Sequence, residues 1–167
     1  MLRRLFAYSL SLLVASAAPM ADAAPRTADL LTFRTDLGNS YKCDRAFAHC
    51  AFDRLVNYPT TGKVSVNGQT IILEEDEMTN RGTLRGVLQC QYRFGPPQAV
   101  SGGTATCRFD YVNDLLTVYT DSVSSDGEHW REVFSFNTKT GQCDDASRLL
   151  NKNAYSEIRF MARCKLL

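Results

Sequence analysis

Histidine is the first side chain to consider for acid–base chemistry, because its charge ordinarily changes near neutral pH. The chain has two, His49 and His129. His129 follows Asp126 and Glu128 and precedes Glu132. This pattern would suit a small hydrolase with His129, Asp126 and Glu132 as candidate catalytic residues. The alternative is a polar turn that leads into a strand, and it is preferred because no serine or cysteine stands in a recognisable nucleophile motif.

The other histidine lies between two cysteines, Cys43 and Cys50. A disulfide between them would close a short loop that carries Arg45 and His49. Such a loop would suit a rigid recognition element, because ordering a loop in advance lowers the entropy cost of binding. A purely structural clip is the alternative.

The densest run of charge is Glu74, Glu75, Asp76 and Glu77. Carboxylates at this density suit a cationic partner or calcium, although the segment lacks the acidic loop pattern of an EF-hand. The alternative is a solvated loop that keeps the edge of a sheet from pairing.

Three arginines, Arg85, Arg93 and Arg108, fall on the polar side of two expected strands. Guanidinium groups bind carboxylates and phosphates in a fork-like geometry, so these side chains are candidates for binding an acidic ligand. Asp110 falls on the same side, and a solvated sheet face explains the pattern as well.

Signatures of other chemistry are absent from the sequence, including a glycine-rich phosphate loop, a dinucleotide fingerprint, an H-E-x-x-H motif and an internal repeat. We therefore expect no cofactor and no metal.

The N-terminus has the pattern of a cleavable signal peptide over residues 1–23. Arg3 and Arg4 precede an apolar stretch, and Ala21-Asp22-Ala23 fits the small-x-small pattern of a cleavage site. The stretch is short for a membrane span. Cleavage would leave 144 residues with 17 basic and 17 acidic side chains. A formal charge of zero gives no long-range attraction to nucleic acid. We expect a periplasmic or secreted protein with no membrane span after cleavage.

All six cysteines lie beyond this leader, and an even number in an exported chain predicts three disulfides. Metal ligation is disfavoured because closely spaced pairs are missing. Pairing of sequence neighbours would join Cys43 to Cys50, Cys90 to Cys107 and Cys143 to Cys164.

Alternating apolar and polar residues predict strands over residues 84–94 and 105–111, separated by a loop rich in glycine and proline. Paired as a hairpin, they would set Cys90 opposite Cys107, Leu88 opposite Phe109 and Gly86 opposite Tyr111. The inward face of the first strand would carry Leu84, Leu88, Cys90, Tyr92 and Phe94.

Further hairpins are expected around Asn67-Gly68, Asn113-Asp114 and Ser124–Gly127. Asp144–Asn151 begins with carboxylates and predicts a short helix. The last strand, within residues 155–164, would have an apolar face of Ile158, Phe160, Ala162 and Cys164. For Pro25–Asn39, a short helix and an edge strand both stay open.

The predicted fold is therefore mostly β, an antiparallel meander forming a small barrel or sandwich with one short C-terminal helix and disulfide links. The predicted organisation is a cleaved leader over 1–23, a lead-in over 24–40 and one domain over 41–167.

These features favour an exported binding protein that acts on another protein, for example by inhibiting or neutralising an enzyme, since the scaffold is rigid and has little acid–base equipment. The alternatives are the small hydrolase built on His129 and a component of an envelope assembly.

Overall fold

The computed structural model describes residues 28–79, 82–151, 156–161 and 163–167. The predicted leader lies outside these residues. Within them the chain forms strands and no helix. The strands are β1 (Ala28–Cys43), β2 (Cys50–Asn67), β3 (Thr70–Thr79), β4 (Gly82–Cys90), β5 (Gln98–Val100), β6 (Gly103–Val112), β7 (Leu115–Ser124), β8 (His129–Asn137), β9 (Cys143–Leu149), β10 (Ser156–Met161) and β11 (Cys164–Leu166).

The strands form one antiparallel sheet in which neighbours along the chain are mostly neighbours in space. The order is β4-β3-β2-β1-β10-β9-β8-β7-β6-β5, and β11 pairs with the first half of β1. β4 approaches β6 through an isolated bridge between Gln91 and Arg108, which nearly closes a barrel. This confirms the predicted antiparallel meander and, of the barrel and the sandwich that were expected, selects the barrel. Residues 28–40, expected as a lead-in, form most of the central strand β1.

Half of the barrel interior is an apolar core. Phe33 is fully buried beside Phe134 and Phe136, at ring-centroid distances of 5.4 and 4.8 Å. Gly62 lies directly opposite Phe33 on β2, and a Cβ at that position would overlap the Phe33 ring. The glycine therefore makes room for the ring at the centre of this core.

The predicted helix over Asp144–Asn151 is wrong, because the segment is strand β9 and ends at Leu149. Its buried positions are Cys143, Asp145 and Leu149, which alternate along the strand. The carboxylate of Asp145 at a buried position interrupts the apolar alternation. The segment therefore resembles the acidic first turn of a helix more than a strand.

The predicted antiparallel pairing of residues 84–94 with 105–111 is also wrong. β5 lies between these strands in sequence and pairs with β6, so β6 runs parallel to β4 where the two meet. Phe109 therefore does not face Leu88, and the Tyr111 ring does not cover Gly86, whose nearest added-Cβ neighbour is Val100. Tyr92 and Phe94, expected inside, are 59% and 48% exposed. Leu84 lies on the expected inward face, opposite Glu77, but is 40% exposed.

The other predicted hairpins are confirmed, and in one of them the turn is displaced by one residue. Asn113 and Asp114 have φ values of 52° and 66°, as a type I′ turn requires. The β2–β3 turn is centred on Gly68 and Gln69 rather than on Asn67 and Gly68, since Asn67 pairs with Thr70. Gly68 alone of these two turn residues has a positive φ, 62°.

The C-terminal strand is confirmed as β10, but its faces are exchanged. Arg159 pairs with Ser40 on one side and Ser147 on the other, which places the polar positions of β10 toward the interior. Phe160 is exposed on the outer surface instead. The side chain of Ala162 is outside the described residues.

All three disulfides form between the predicted neighbours. They join Cys43 to Cys50, Cys90 to Cys107 and Cys143 to Cys164. Cys90 and Cys107 are fully buried in the core, whereas Cys43–Cys50 closes the end of the β1–β2 hairpin. The described part of the chain contains no helix long and apolar enough to cross a membrane.

Candidate protein-binding face and interior carboxyl cluster

The acidic run at residues 74–77 is not a solvated loop but the second half of β3. Ile71 and Leu73 on this strand belong to the buried core, and alternate residues of a strand share a face. Glu75 and Glu77 therefore project into the barrel, while Glu74 and Asp76 project outward. The expectation of a solvated loop is wrong because the strand continues through all four charges.

The half of the barrel beyond the apolar core is lined by polar side chains. One continuous row crosses the strands from β7 to β2, each member paired with the next in the sheet register. The row is Thr120, Glu132, Ser147, Arg159, Ser40 and Arg54. Each strand contributes one polar residue at an inward position, so no single segment of the sequence reveals the row.

Four carboxyl groups lie inside this polar half, and we call Glu75, Glu77, Glu132 and Asp145 the carboxyl cluster. Asp145 is 6% exposed, whereas Glu75, Glu77 and Glu132 are partly buried, and Glu132 shares a hydrogen bond with Asp145. Oε1 of Glu75 is buried and has no hydrogen-bond partner. The fully buried Thr35 faces Asp145, yet its hydroxyl makes no hydrogen bond of normal geometry.

Burial raises the pKa values of the whole cluster, because an ionised carboxylate loses its hydration inside the barrel. Burial, followed by the charges of Asp145 and Glu77, raises the pKa of Glu75 to about 8. Burial also raises the pKa of Glu132 well above its ordinary value, with the other three carboxyls adding to the effect. The pKa of Asp145 rises to about 7, although a hydrogen bond from Glu132 offsets part of the rise. Near neutral pH the cluster therefore retains protons.

Glu157 shows what a compensated carboxylate looks like in the same interior. Its Oε1 accepts hydrogen bonds from Ser40 at 2.7 Å and from Arg159 Nε at 2.8 Å, and Arg54 lies at 3.4 Å. Burial alone would raise the pKa of Glu157, but these hydrogen bonds and positive charges outweigh it and lower the pKa. Both arginines thus contact Glu157, and the charge of Arg159 also offsets part of the rise that burial causes in the pKa of Glu77.

The arrangement does not suit a metal ion. Among the described residues, no group of three or more His, Cys, Asp or Glu side chains is placed to hold one. The carboxyl cluster is instead a group of inward-facing carboxyls whose pKa values are raised.

We expect stability to fall as the pH rises. A carboxyl whose pKa is higher in the folded chain binds its proton more tightly when folded. Its contribution is complete below the ordinary carboxyl pKa and is lost as the pH rises through about 7 for Asp145 and about 8 for Glu75. The midpoint of thermal unfolding should therefore drop by about 5 °C or more between about pH 5 and about pH 9, measured by circular dichroism.

The matched control uses two neighbours on β3. Glu75→Gln should remove part of this fall, whereas Glu74→Gln should not, because Glu74 faces outward. A midpoint that rises over the same pH interval would contradict the burial of the cluster.

A second feature lies on the outside of the barrel, where β2, β1 and β10 are neighbours. We call Tyr41, Phe52, Leu55 and Phe160 the aromatic face. Phe52, Leu55 and Phe160 are 58%, 60% and 47% exposed. The Tyr41 ring packs edge-on against Phe52 at 5.9 Å and against Phe160 at 6.1 Å. The result is a contiguous apolar surface rather than scattered side chains.

Two arginines adjoin the aromatic face on β8 and β9. Arg131 and Arg148 are exposed and lie directly opposite each other in the β8–β9 register, and like charges in this arrangement cost stability. Arg131 Nε lies 3.0 Å from Asp121. The guanidinium carbon of Arg148 lies 5.6 Å from the Phe47 ring.

Phe47 belongs to the loop closed by Cys43–Cys50, which also holds the predicted recognition residues Arg45 and His49. His49 is exposed, and its Nδ1 lies 2.9 Å from Oδ2 of Asp44. Arg45 is in the turn at the tip of the same loop. The disulfide therefore places this loop beside the arginines that flank the aromatic face.

His129 lies on the outer surface and contacts a carboxylate other than the expected ones. Its Nε2 is 2.5 Å from Oδ1 of Asp121 on the neighbouring strand. Glu132 faces the interior, and Asp126 accepts a hydrogen bond from Ser124 in the turn. Asp121 was not identified from the sequence because it becomes a neighbour only through the β7–β8 register.

The three arginines that were predicted to bind an acidic ligand lie in different parts of the fold and have different neighbours. Arg85 on β4 pairs with Asp76 on β3 at 3.5 Å, beside a groove of about 180 Å³ that Glu74 also lines. Arg108 on β6 contacts Asp110 at 2.6 Å and lies 3.8 Å from the Tyr119 ring centroid. Arg93 is exposed in the connection between β4 and β5. The hairpin that would have aligned them does not form.

Comparisons of the chain with protein-family models, with curated proteins and with solved structures found no match.

Proposed function

We propose that the mature protein is a periplasmic or secreted binding protein that acts on another protein through the aromatic face. The observation that carries this proposal is the exposure of Phe52, Leu55 and Phe160 side by side on one surface. Contiguous exposed apolar surface of this kind is typical of protein-interaction sites, and aromatic side chains contribute strongly to binding.

The surroundings of the face indicate the chemistry of the partner. Arg131 and Arg148 lie beside it, so a partner with an apolar contact region bordered by carboxylates would match both features. Inhibition or neutralisation of an enzyme is one way in which such a binding protein would act. The three disulfides support an exported setting, since disulfides persist in oxidising compartments.

The experiment begins with capture of interacting proteins by the oxidised mature protein, from its own cell extract and from secretions of competing cells. The recovered protein is then identified, purified and titrated against defined variants. The double variant Phe52→Ser, Phe160→Ser should weaken its affinity by about tenfold or more. Val112→Ser is the matched control, because Val112 is also exposed but lies on β6, and it should leave the affinity unchanged.

Equal affinity of the double variant and the wild type would overturn the proposal. Light scattering after size-exclusion chromatography measures the oligomeric state and so tests the alternative of an envelope-assembly component. A stable homo-oligomer that the double variant dissociates would identify the face as an envelope-assembly contact and would also overturn the proposed action on another protein.

A small hydrolase is the second candidate, and the contact of His129 with Asp121 favours it. His129→Ala should abolish turnover of ester, peptide or glycoside test substrates if this candidate holds. The same variant should leave partner binding intact if the protein acts through the aromatic face.

A further inference from the structure

Among the residues that the structure describes, the barrel has a weakly bonded boundary at the seam between β4 and the β5–β6 hairpin. On its other side β4 pairs with β3 along its whole length, from Gly82 to Cys90. Across the seam, Ser101 donates its backbone N–H to the carbonyl of Arg85 at 3.0 Å, and Phe109 donates to Gln91 at 2.9 Å. The described seam thus holds far fewer backbone hydrogen bonds than a strand pair of equal length.

A side chain replaces part of the missing ladder. The Gln98 amide accepts a hydrogen bond from the backbone N–H of Gln89 and donates one to the carbonyl of the same residue, both at 2.9 Å. Nearer the apolar core, the buried Cys90–Cys107 disulfide joins β4 to β6 covalently. The seam is therefore fixed at the apolar end and held by few hydrogen bonds at the polar end.

The carboxyl cluster is divided between the strand next to this seam and strands elsewhere in the barrel. Glu75 and Glu77 are on β3, which forms a hairpin with β4. Glu132 and Asp145 are on β8 and β9. Glu75 lies directly opposite Gly86 of β4. Repulsion between the two pairs of carboxylates would therefore act on the β3–β4 hairpin.

The remaining charged groups that face the cluster do not balance it. β10 contributes Glu157 and Arg159, and β2 contributes Arg54; both arginines contact Glu157, and the charge of Arg159 also acts on Glu77. Two positive charges therefore face five carboxyls, the four of the cluster and Glu157. The described inward residues that β1, β4 and β7 place in this half are uncharged, namely Thr35, Ser40, Leu84, Gly86 and Thr120. Ionisation would leave a net negative charge inside the barrel.

We propose that ionisation of the carboxyl cluster opens the polar end of the barrel along the β4 seam, with the Cys90–Cys107 disulfide acting as the hinge. Like charges on β3 and on β8–β9 separate most readily where the sheet has the fewest hydrogen bonds to break. The β3–β4 hairpin moves outward, and the apolar core stays assembled. The barrel is thereby closed in acid and opened in mild alkali.

Amide hydrogen exchange followed by NMR tests this proposal on the intact oxidised protein. The backbone N–H groups of Gln89 and Ser101 are protected across the seam, so their protection factors should fall by about tenfold or more between about pH 5.5 and about pH 8.5, after correction for intrinsic exchange. Protection of Val118, which lies on β7 and is paired on one side with β6 and on the other with β8, should stay constant.

Glu75→Gln should abolish the fall at the seam, and Glu74→Gln should preserve it. Glu132→Gln is a second test on the opposite wall, should Glu75→Gln fail to fold. Fluorescence of Trp130, the single tryptophan, provides an independent readout, because its ring lies 4.1 Å from the Arg159 guanidinium in the polar half. Seam protection that is independent of pH, or that falls equally at Val118, would overturn the proposal.

Discussion

Replacement of Phe33 by alanine is expected to remove a large part of the stability of the protein. The side chain is fully buried between Phe134 and Phe136. Truncation of a buried phenylalanine leaves a cavity and typically costs about 3–5 kcal/mol. A domain of this size has a total stability of about 5–15 kcal/mol. Urea unfolding of the oxidised protein, followed by circular dichroism, should show the loss as a lower midpoint at unchanged slope.

Phe52→Ala is the matched control for this prediction, because it removes the same side chain from an exposed position of the aromatic face. Its effect on the free energy of unfolding should stay within about 0.5 kcal/mol. If the two variants lost similar amounts of stability, the assignment of Phe33 to the core and Phe52 to the surface would be wrong.

The second large effect is expected when the buried disulfide is removed by Cys90→Ser together with Cys107→Ser. The bridge spans a sequence separation of 17 residues. Chain entropy predicts a contribution of about 3 kcal/mol for a loop of this length. The thermal midpoint should fall by about 10 °C, measured by scanning calorimetry at about pH 6.

The double change Cys43→Ser, Cys50→Ser serves for comparison. That disulfide closes a shorter separation of 7 residues at the end of a hairpin whose strands are already paired. Its removal should cost less than removal of Cys90–Cys107. An unchanged thermal midpoint without Cys90–Cys107 would show that this bridge does not support the barrel.

Local signals in the sequence were sufficient for most of the architecture. Period-two alternation identified the strands around Cys90 and Cys107, and turn chemistry placed the hairpins at Asn113-Asp114 and near Gly68. The disulfide partners also followed, because each cysteine pairs with its neighbour in sequence. Such features depend on adjacent residues and short separations.

Pairing between strands was harder to predict. The short strand β5 reverses the chain between β4 and β6, so Cys90 meets Cys107 from a parallel rather than an antiparallel strand. In β9 and β10, carboxylates and arginines occupy interior positions and so resemble a solvent face or the start of a helix. Hydrophobic periodicity identifies the interior only where the interior is apolar.

The candidate sites show the same limit. His49 and Arg45 stand in the predicted disulfide loop, but the aromatic face combines β2, β1 and β10, which are far apart in sequence. The carboxyl cluster joins β3 to β8 and β9. From the sequence, Glu75 and Glu77 were singled out together as binding residues of the acidic run and Glu132 as a catalytic candidate. Asp145 was considered only as a carboxylate at the start of a predicted helix.

The central claim is that alternate residues of an acidic strand face the interior and keep their protons near neutral pH. Titration of side-chain carboxyl carbons by NMR tests it directly, with Glu75→Gln used to assign the resonance. We expect Glu75 to titrate with a midpoint of about 8 and Asp145 with a midpoint of about 7. Midpoints for both residues near the ordinary carboxyl values of 4.5 and 3.8 would contradict the interior placement of the cluster and the pH response inferred from it.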